Sequence, residues 1–282
     1  VTLFNERALP TTLVPGRDVG FQLWGDINGG VVSYAAGIFN GLGDGRSSAG
    51  NTDFDDSKEF SGRVFAQPFK KTEVEALRGL GIGVGGSWGD YSQISATGLP
   101  NGNGYVTDGQ QQFFAYNATT VADGEHWRVA PQGYYYFGPL SLLGEYTIAA
   151  QNVRQATQTA LLRNTAWQVA AGWVLTGEDA TFTGVNPRNA FDPRAGKWGA
   201  FQVVGRFAEL DIDDSAFPTF ANPVSATGVQ AWAAGLNWYL NKNLMIKASY
   251  SRTTFTGGGG AGATVPAIVT RQPEEVFFTR MQ

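Results

Sequence analysis

The sequence contains no cysteine and a single histidine, His126. Without cysteine there is no disulfide framework, no thiolate nucleophile and no cysteine metal site. One histidine leaves a histidine-rich metal centre or a serine-histidine-aspartate triad little to work with, and an interface or strand end is the expected place for His126. Charge is also scarce, at 16% of residues, yet the 43% hydrophobic content is too high for a disordered chain. A net charge of −4 and a pI of about 5.1 exclude the global basic field of a nucleic-acid binder. No run approaches the roughly 18 consecutive apolar residues of a membrane helix. The opening Val1-Thr-Leu-Phe-Asn-Glu-Arg has no apolar core of the signal-peptide kind, so a secretory signal is expected upstream.

What is present is alternation with period two, in segments of about ten residues. Arg17 to Asp26 places Val19, Phe21 and Leu23 on one face, with Asp18, Gln22 and Asp26 on the other. The turn Asn28-Gly29-Gly30 follows, and Val31 to Asn40 alternates again. Further strands are read at Lys58–Gln67, Leu80–Gly89, His126–Phe137, Ser141–Gln151, Thr165–Leu175, Trp198–Leu210, Val229–Leu240, Leu244–Thr253 and Glu275–Gln282. About eleven strands result, with a weaker pairing at Gln111–Asn117. Tight connectors (Asn28–Gly30, Gly138–Leu140, Asn241–Asn243) alternate with long ones (Gly41–Ser57, Tyr91–Glu125, Asn152–Asn164, Asp211–Gly228, Phe255–Pro273). That asymmetry is expected of a membrane barrel with short periplasmic turns and long external loops. Pro68–Gly79 and Thr176–Lys197 fall on the short side and are longer than the rule prefers.

Alternation fits a soluble barrel as well as a membrane one, and two features favour the membrane. Aromatics gather near strand ends, at Trp24, Tyr34, Trp88, Trp127, Tyr136-Phe137, Trp167, Trp173, Trp238 and Tyr239, as interfacial girdles require. Small residues (Gly83, Gly85, Ala170, Gly172, Ala233, Gly235) fall on the presumptive lumen side and are expected to leave a pore open. The predicted fold is all-β, an antiparallel transmembrane β-barrel forming one domain.

Ordered stretches along nearly the whole chain carry a resemblance: Phe4-Asn-Glu-Arg-Ala-Leu-Pro, Pro15-Gly-Arg-Asp-Val-Gly, and Gly30-Val-Val-Ser-Tyr-Ala-Ala-Gly-Ile-Phe-Asn-Gly. So do Pro131-Gln-Gly-Tyr-Tyr-Tyr-Phe-Gly-Pro-Leu-Ser-Leu-Leu-Gly-Glu-Tyr, Leu175-Thr-Gly-Glu, Trp198-Gly-Ala-Phe, Gly235-Leu-Asn-Trp-Tyr-Leu-Asn and the terminal Phe277-Phe-Thr-Arg-Met-Gln. The chain resembles the phosphate-selective porin O and P family of bacterial outer-membrane channels. The resemblance implies a sixteen-stranded barrel, a homotrimer in outer-membrane lipid and lipopolysaccharide, and one external loop folded into the lumen as a constriction. Residues 1–16 would then be part of that loop and 17–282 barrel, with about five strands preceding them. Eleven is also an odd number, and bacterial barrels close with an even one.

A lumen attracts anions when fixed cations point into it, and arginine suits phosphate through its planar fork. Alternation sends Arg63, Arg128, Arg206, Lys247 and Arg280 inward; Arg7 falls in the constriction loop and Arg17 at the start of the next strand. The competing reading is that these are wetted lumen residues paired with Glu59, Glu145 or Asp18. In the family, phosphate selectivity goes with a ladder of arginines. The corresponding stretch here is Gln110-Gln-Gln-Phe-Phe-Ala-Tyr-Asn, without a cation, so a weaker or different selectivity is expected. Acidic clusters at Asp53-Phe-Asp-Asp and Asp211-Ile-Asp-Asp could hold calcium, but lack EF-hand spacing and read better as solvated loop charge. Gly257–Gly260 reads as a loop tip and not a phosphate cradle. Asn117-Ala-Thr matches a glycosylation sequon of little meaning in such a protein. No cofactor, metal or nucleic-acid partner is expected. A passive pore for small, anionic solutes such as phosphate is the leading reading. A structural or anchoring barrel comes second, and a barrel enzyme, needing a serine and a carboxylate around His126, third.

Overall fold

The computed structural model of the chain describes residues 3–45, 56–92, 104–259 and 270–282. Its strands are β1 (Gly20–Ile27), β2 (Val32–Phe39), β3 (Glu59–Ala66), β4 (Leu80–Ser92), β5 (Tyr105–Val106), β6 (Gln112–Phe114), β7 (Val121–Phe137), β8 (Leu140–Gln155), β9 (Gln158–Val174), β10 (Ala180–Thr181), β11 (Gly184–Val185), β12 (Ala200–Asp211), β13 (Ala226–Asn241), β14 (Leu244–Gly257) and β15 (Glu274–Met281). Eleven of them build one antiparallel sheet in the order β1-β2-β3-β4-β7-β8-β9-β12-β13-β14-β15. Every strand of the sheet neighbours the next one along the chain, the order that hairpin connections produce. All eleven strands expected from alternation are present. The weak pairing near Gln111–Asn117 is the β5–β6 ribbon, followed by a bridge from Tyr116 to Ala221.

One connector differs from expectation. Asn152–Asn164 is not a long loop, because β8 and β9 continue through it to a turn at Ala156-Thr157, with Gln155 opposite Gln158. Its polar residues masked a real alternation, in which Val153 and Leu162 face inward and are buried. The turn at Asn28-Gly29-Gly30 does form, and all three residues hold positive φ (56°, 65° and 78°).

The distribution of polarity decides which side is which. Phe60, Val64, Ile82, Trp88, Val169 and Trp173 face outward and stay about half exposed. His126, Arg128, Gln202, Asn237 and Lys247 face inward and are less than 5% exposed. Leaving one large apolar side chain in water instead of burying it costs roughly 1.5–3 kcal/mol. A continuous belt of them is incompatible with water as the outer solvent and suits lipid. Trp167 and Trp173 on β9, and Trp232 and Trp238 on β13, stand six positions apart on this outer face. At about 3.3 Å per residue they mark two aromatic rings about 20 Å apart along the strand.

Among the described residues the interior is filled in three places. Toward the long-loop end, Leu9 and Leu13 pack with Tyr105, Phe113 and Phe114 against Leu162 and Leu210. The second filled region lies toward the short-turn end, where Ala180 and Val185 pack beneath Val174, Ala200 and Tyr239. The small residues expected to hold a pore open instead admit other side chains. In the third filled place Phe4 sits against Ala170 and Ala233, and a Cβ on Gly83 would come within 2.5 Å of the Phe65 ring. Among the described residues, β1 and β15 each have one sheet neighbour.

Candidate pore lumen and its charged groups

Residues 3–13 run across the interior and are tied to the wall by side chains of the strands. Asn237 Nδ2 donates to the Leu3 carbonyl (3.0 Å), Arg206 Nη1 to the Glu6 carbonyl (2.9 Å) and Arg280 Nη1 to the Asn5 carbonyl (2.9 Å). The segment ends in a 3-10 turn, Leu9–Leu13, begun by Pro10, whose fixed φ suits a helical first turn. The β5–β6 segment enters from the other side. Tyr105 donates to Asp44 (2.8 Å) and accepts from Asn164 (2.9 Å), which fixes it to the loop after β2 and to β9. Between the two inward segments lies a cavity of about 450 Å³ lined by Glu6, Arg7, Thr12, Asp108, Gln110 and Arg280, among others.

The seven expected cations differ sharply in how they are engaged. Arg128 is enclosed: its Nε donates to Asp44 (2.8 Å), its Nη1 to Glu59 (2.9 Å) and its Nη2 to the Leu42 carbonyl (2.8 Å). Its charge is committed to holding the loop, so it is not an anion site. Arg206 is paired with Asp108 and lies over the Phe4 ring at 4.6 Å. Arg280 meets Glu6 at 3.1 Å. Lys247 is buried directly across the ladder from Arg280. Arg63 donates to the neutral Gln132 (3.0 Å) and covers the Phe65 ring. Arg17 is exposed beside Asp18 in a separate cleft. Arg7 is exposed in the central cavity and makes no ion pair among the described residues. Arg280 is paired with Glu6 and Arg206 with Asp108, which leaves Arg7 as the lining cation without a carboxylate partner among the described residues.

Alternation located the cations but not their partners. Glu59 does pair, as considered; Glu145 instead accepts from Gln168 (2.6 Å), and Asp18 accepts from the Val19 and Gly41 N–H groups. The decisive carboxylates, Glu6, Asp44 and Asp108, lie in connectors, where no periodicity assigns an orientation. Burial raises the Asp108 carboxyl above its ordinary range, against the lowering charge of Arg206, and Glu274 and Glu6 push it the same way as burial. Within Gln110–Asn117, Gln110 lines the cavity, whereas Phe113, Phe114 and Tyr116 anchor the segment in the core.

His126 is buried with its Nε2 3.0 Å from Glu59, and its Nδ1 has no hydrogen-bond partner among the described residues. Ser87 Oγ accepts from Arg128 (3.2 Å), and among the described residues no serine is hydrogen-bonded to the imidazole. In the second acidic cluster, Asp213 accepts from the N–H groups of Arg163 and Ser215. Among the described residues, no group of three or more potential metal ligands occurs. Asp53 to Asp55 and Gly260 lie outside the described residues.

No curated protein matches the chain. Among solved structures it is similar to a porin refined at 1.8 Å resolution, with 12% identity and a TM-score of 0.44. That match covers 93% of this chain and 61% of the porin, so the chain spans less than two thirds of the porin's length. The family model described as phosphate-selective porin O and P matches residues 1–261, and the chain belongs to that family.

Proposed function

We propose that the chain forms the wall and constriction of a bacterial outer-membrane channel that passes small solutes, anions preferentially, without catalysing a reaction. The observation that carries this reading is the inverted polarity of the sheet: apolar side chains outside, and charged and amide side chains inside around a solvent-sized cavity. The Arg7 cation, which lines that cavity without an ion pair among the described residues, supports the anion preference, and phosphate is the solute the family description suggests. Outer-membrane lipid and lipopolysaccharide are the surroundings and a homotrimer the assembly in this reading; the apolar outer face offers the surface either would cover. The one-sided edges of β1 and β15 are read as joining further strands of a sixteen-stranded barrel, since an exposed edge invites aggregation. Residues 1–16 then belong to the constriction loop.

Conductance of the full-length protein in planar bilayers tests the proposal. Discrete channels with reversal potentials on the anion side are expected, and folded, heat-modifiable protein without channels would refute it. One observation favours a structural, non-conducting barrel as the second reading. Leu9, Leu13, Phe113 and Phe114 fill much of the long-loop half and are almost wholly buried. Absence of conductance from folded protein would select that alternative.

A further inference from the structure

The connector between β9 and β12 is too long for the short-turn end, and the structure shows where its residues go. Ala180 N–H donates to the Gly138 carbonyl (2.8 Å), which folds the β10–β11 hairpin back under the lumen. Thr181 Oγ1 closes its tip by donating to the Gly184 carbonyl (2.7 Å). The tip carries Phe182, whose ring lies 5.5 Å from that of Tyr134, and Tyr134 stacks on Phe65 at 5.0 Å and 26°. Two glycines let these rings lie flat on the sheet. A Cβ at Gly81 would meet Tyr134 at 2.6 Å and Phe65 at 2.7 Å, and one at Gly83 would meet Phe65 at 2.5 Å.

Polar groups ring this aromatic floor. Arg63 and Gln132 are hydrogen-bonded to one another, and Glu145 holds Gln168 on the next strand. Arg63, Gln132 and Glu145 bound a cavity of about 410 Å³ at the short-turn mouth, separate from the central constriction. Its lining has one cation, Arg63, against two carboxylates, Asp26 and Glu145, so it does not concentrate anions. Phe65 is buried against Arg63 and Tyr134 and supports the floor, while Tyr134 and the exposed Phe182 offer ring surface suited to the C–H faces of a sugar ring; amide, guanidinium and carboxylate groups suit its hydroxyls.

We propose that Phe65, Tyr134, Phe182, Arg63, Gln132 and Glu145 form a binding site for a neutral saccharide at the short-turn mouth. The inference rests on the channel reading only in that solute must reach the lumen. The full-length protein is tested in planar bilayers with maltose and maltotriose added to either side, and in detergent by calorimetry with the same sugars. Concentration-dependent interruption of the ion current is expected. Phe182→Ala and Tyr134→Leu should weaken the effect at least tenfold, and Phe182→Trp should retain it. Conducting channels that ignore both sugars, with no calorimetric binding, overturn the proposal; so does block by benzoate but not by sugar. Calorimetric binding by protein that does not conduct supports the saccharide site while refuting the channel.

Discussion

Arg128 on β7 donates to Glu59 on β3 at 2.9 Å, spanning the intervening strand β4, while its Nε reaches Asp44 in the loop after β2. The pair is almost wholly buried, so its value lies less in net attraction than in what its loss would expose. Removing the guanidinium leaves two enclosed carboxylates, Glu59 beside His126 and Asp44 beside Tyr105, without their cation.

Arg128→Met is therefore expected to destabilise the folded barrel by about 3–5 kcal/mol. Glu59→Gln combined with Arg128→Met should cost clearly less than the sum of the single changes, because the two groups share one interaction. Denaturant unfolding of the detergent-folded protein, followed by gel mobility with and without heating, measures both. Additive losses would mean that the pair does not act as a unit.

The outer face supplies a contrast within a single strand. Val64 points outward and is half exposed, whereas Ser61 on the same strand lines an interior cleft with Arg17 and Gln22. Val64→Arg should lower folding stability in bilayers by about 2–4 kcal/mol if it sits near the midplane. Ser61→Arg should be tolerated within about 1 kcal/mol, since the lumen hydrates the charge. Equal penalties at the two sites would contradict the lipid-facing assignment.

The wall of this protein was legible in the sequence because period-two alternation is a local property. Val64 and Arg63 are assigned to opposite faces by adjacency alone, and the structure agrees. The contents of the lumen were not legible. Whether Gly83 leaves a void or receives the Phe65 ring depends on the rotamer of a residue on the neighbouring strand, and Ala170 and Ala233 receive Phe4 from a segment far away in sequence. The same holds for Asp44 and Asp108: a connector has no periodicity, so the partner of Arg128 or Arg206 emerges only from tertiary placement. The polar run through Asn152–Asn164 misled for a third reason. Its outward positions carry Asn152, Arg154 and Arg163, so the apolar contrast that marks a strand disappears.

In the channel proposed above, Asp108 should make selectivity dependent on pH. Burial, the largest influence, raises its carboxyl above the ordinary aspartate value of about 4 despite the opposing charge of Arg206. The folded state thus holds this proton more tightly than the unfolded chain. Its contribution to stability is present below the unfolded value and is lost as pH rises through the folded one. For the pore, acidification from neutral neutralises Asp108 before ordinary aspartates and leaves Arg206 unbalanced. Reversal potentials should therefore move toward anions as pH falls toward about 4. Asp108→Asn should show the shifted value already at neutral pH, with a smaller further change on acidification. An unchanged pH profile in that variant would assign the titration to another group.

Arg7 offers the sharpest test of the central cavity, because it is exposed there without a carboxylate partner among the described residues, whereas Arg206 and Arg280 are paired. Its removal deletes charge without leaving a buried ion behind, so the fold should be unaffected. A fixed charge that shifts the difference between anion and cation by on the order of 0.5 kcal/mol changes their permeability ratio by about twofold. Arg7→Gln should therefore lower the anion-to-cation permeability ratio by about that factor while single-channel conductance and unfolding midpoint stay near those of the parent. Arg280→Gln is the informative comparison. It also frees Glu6 and releases the Asn5 carbonyl, so it should alter both selectivity and the anchoring of residues 3–13. If Arg7→Gln instead leaves the reversal potential untouched, its charge is screened by mobile ions, and the anion preference must be sought outside the central cavity.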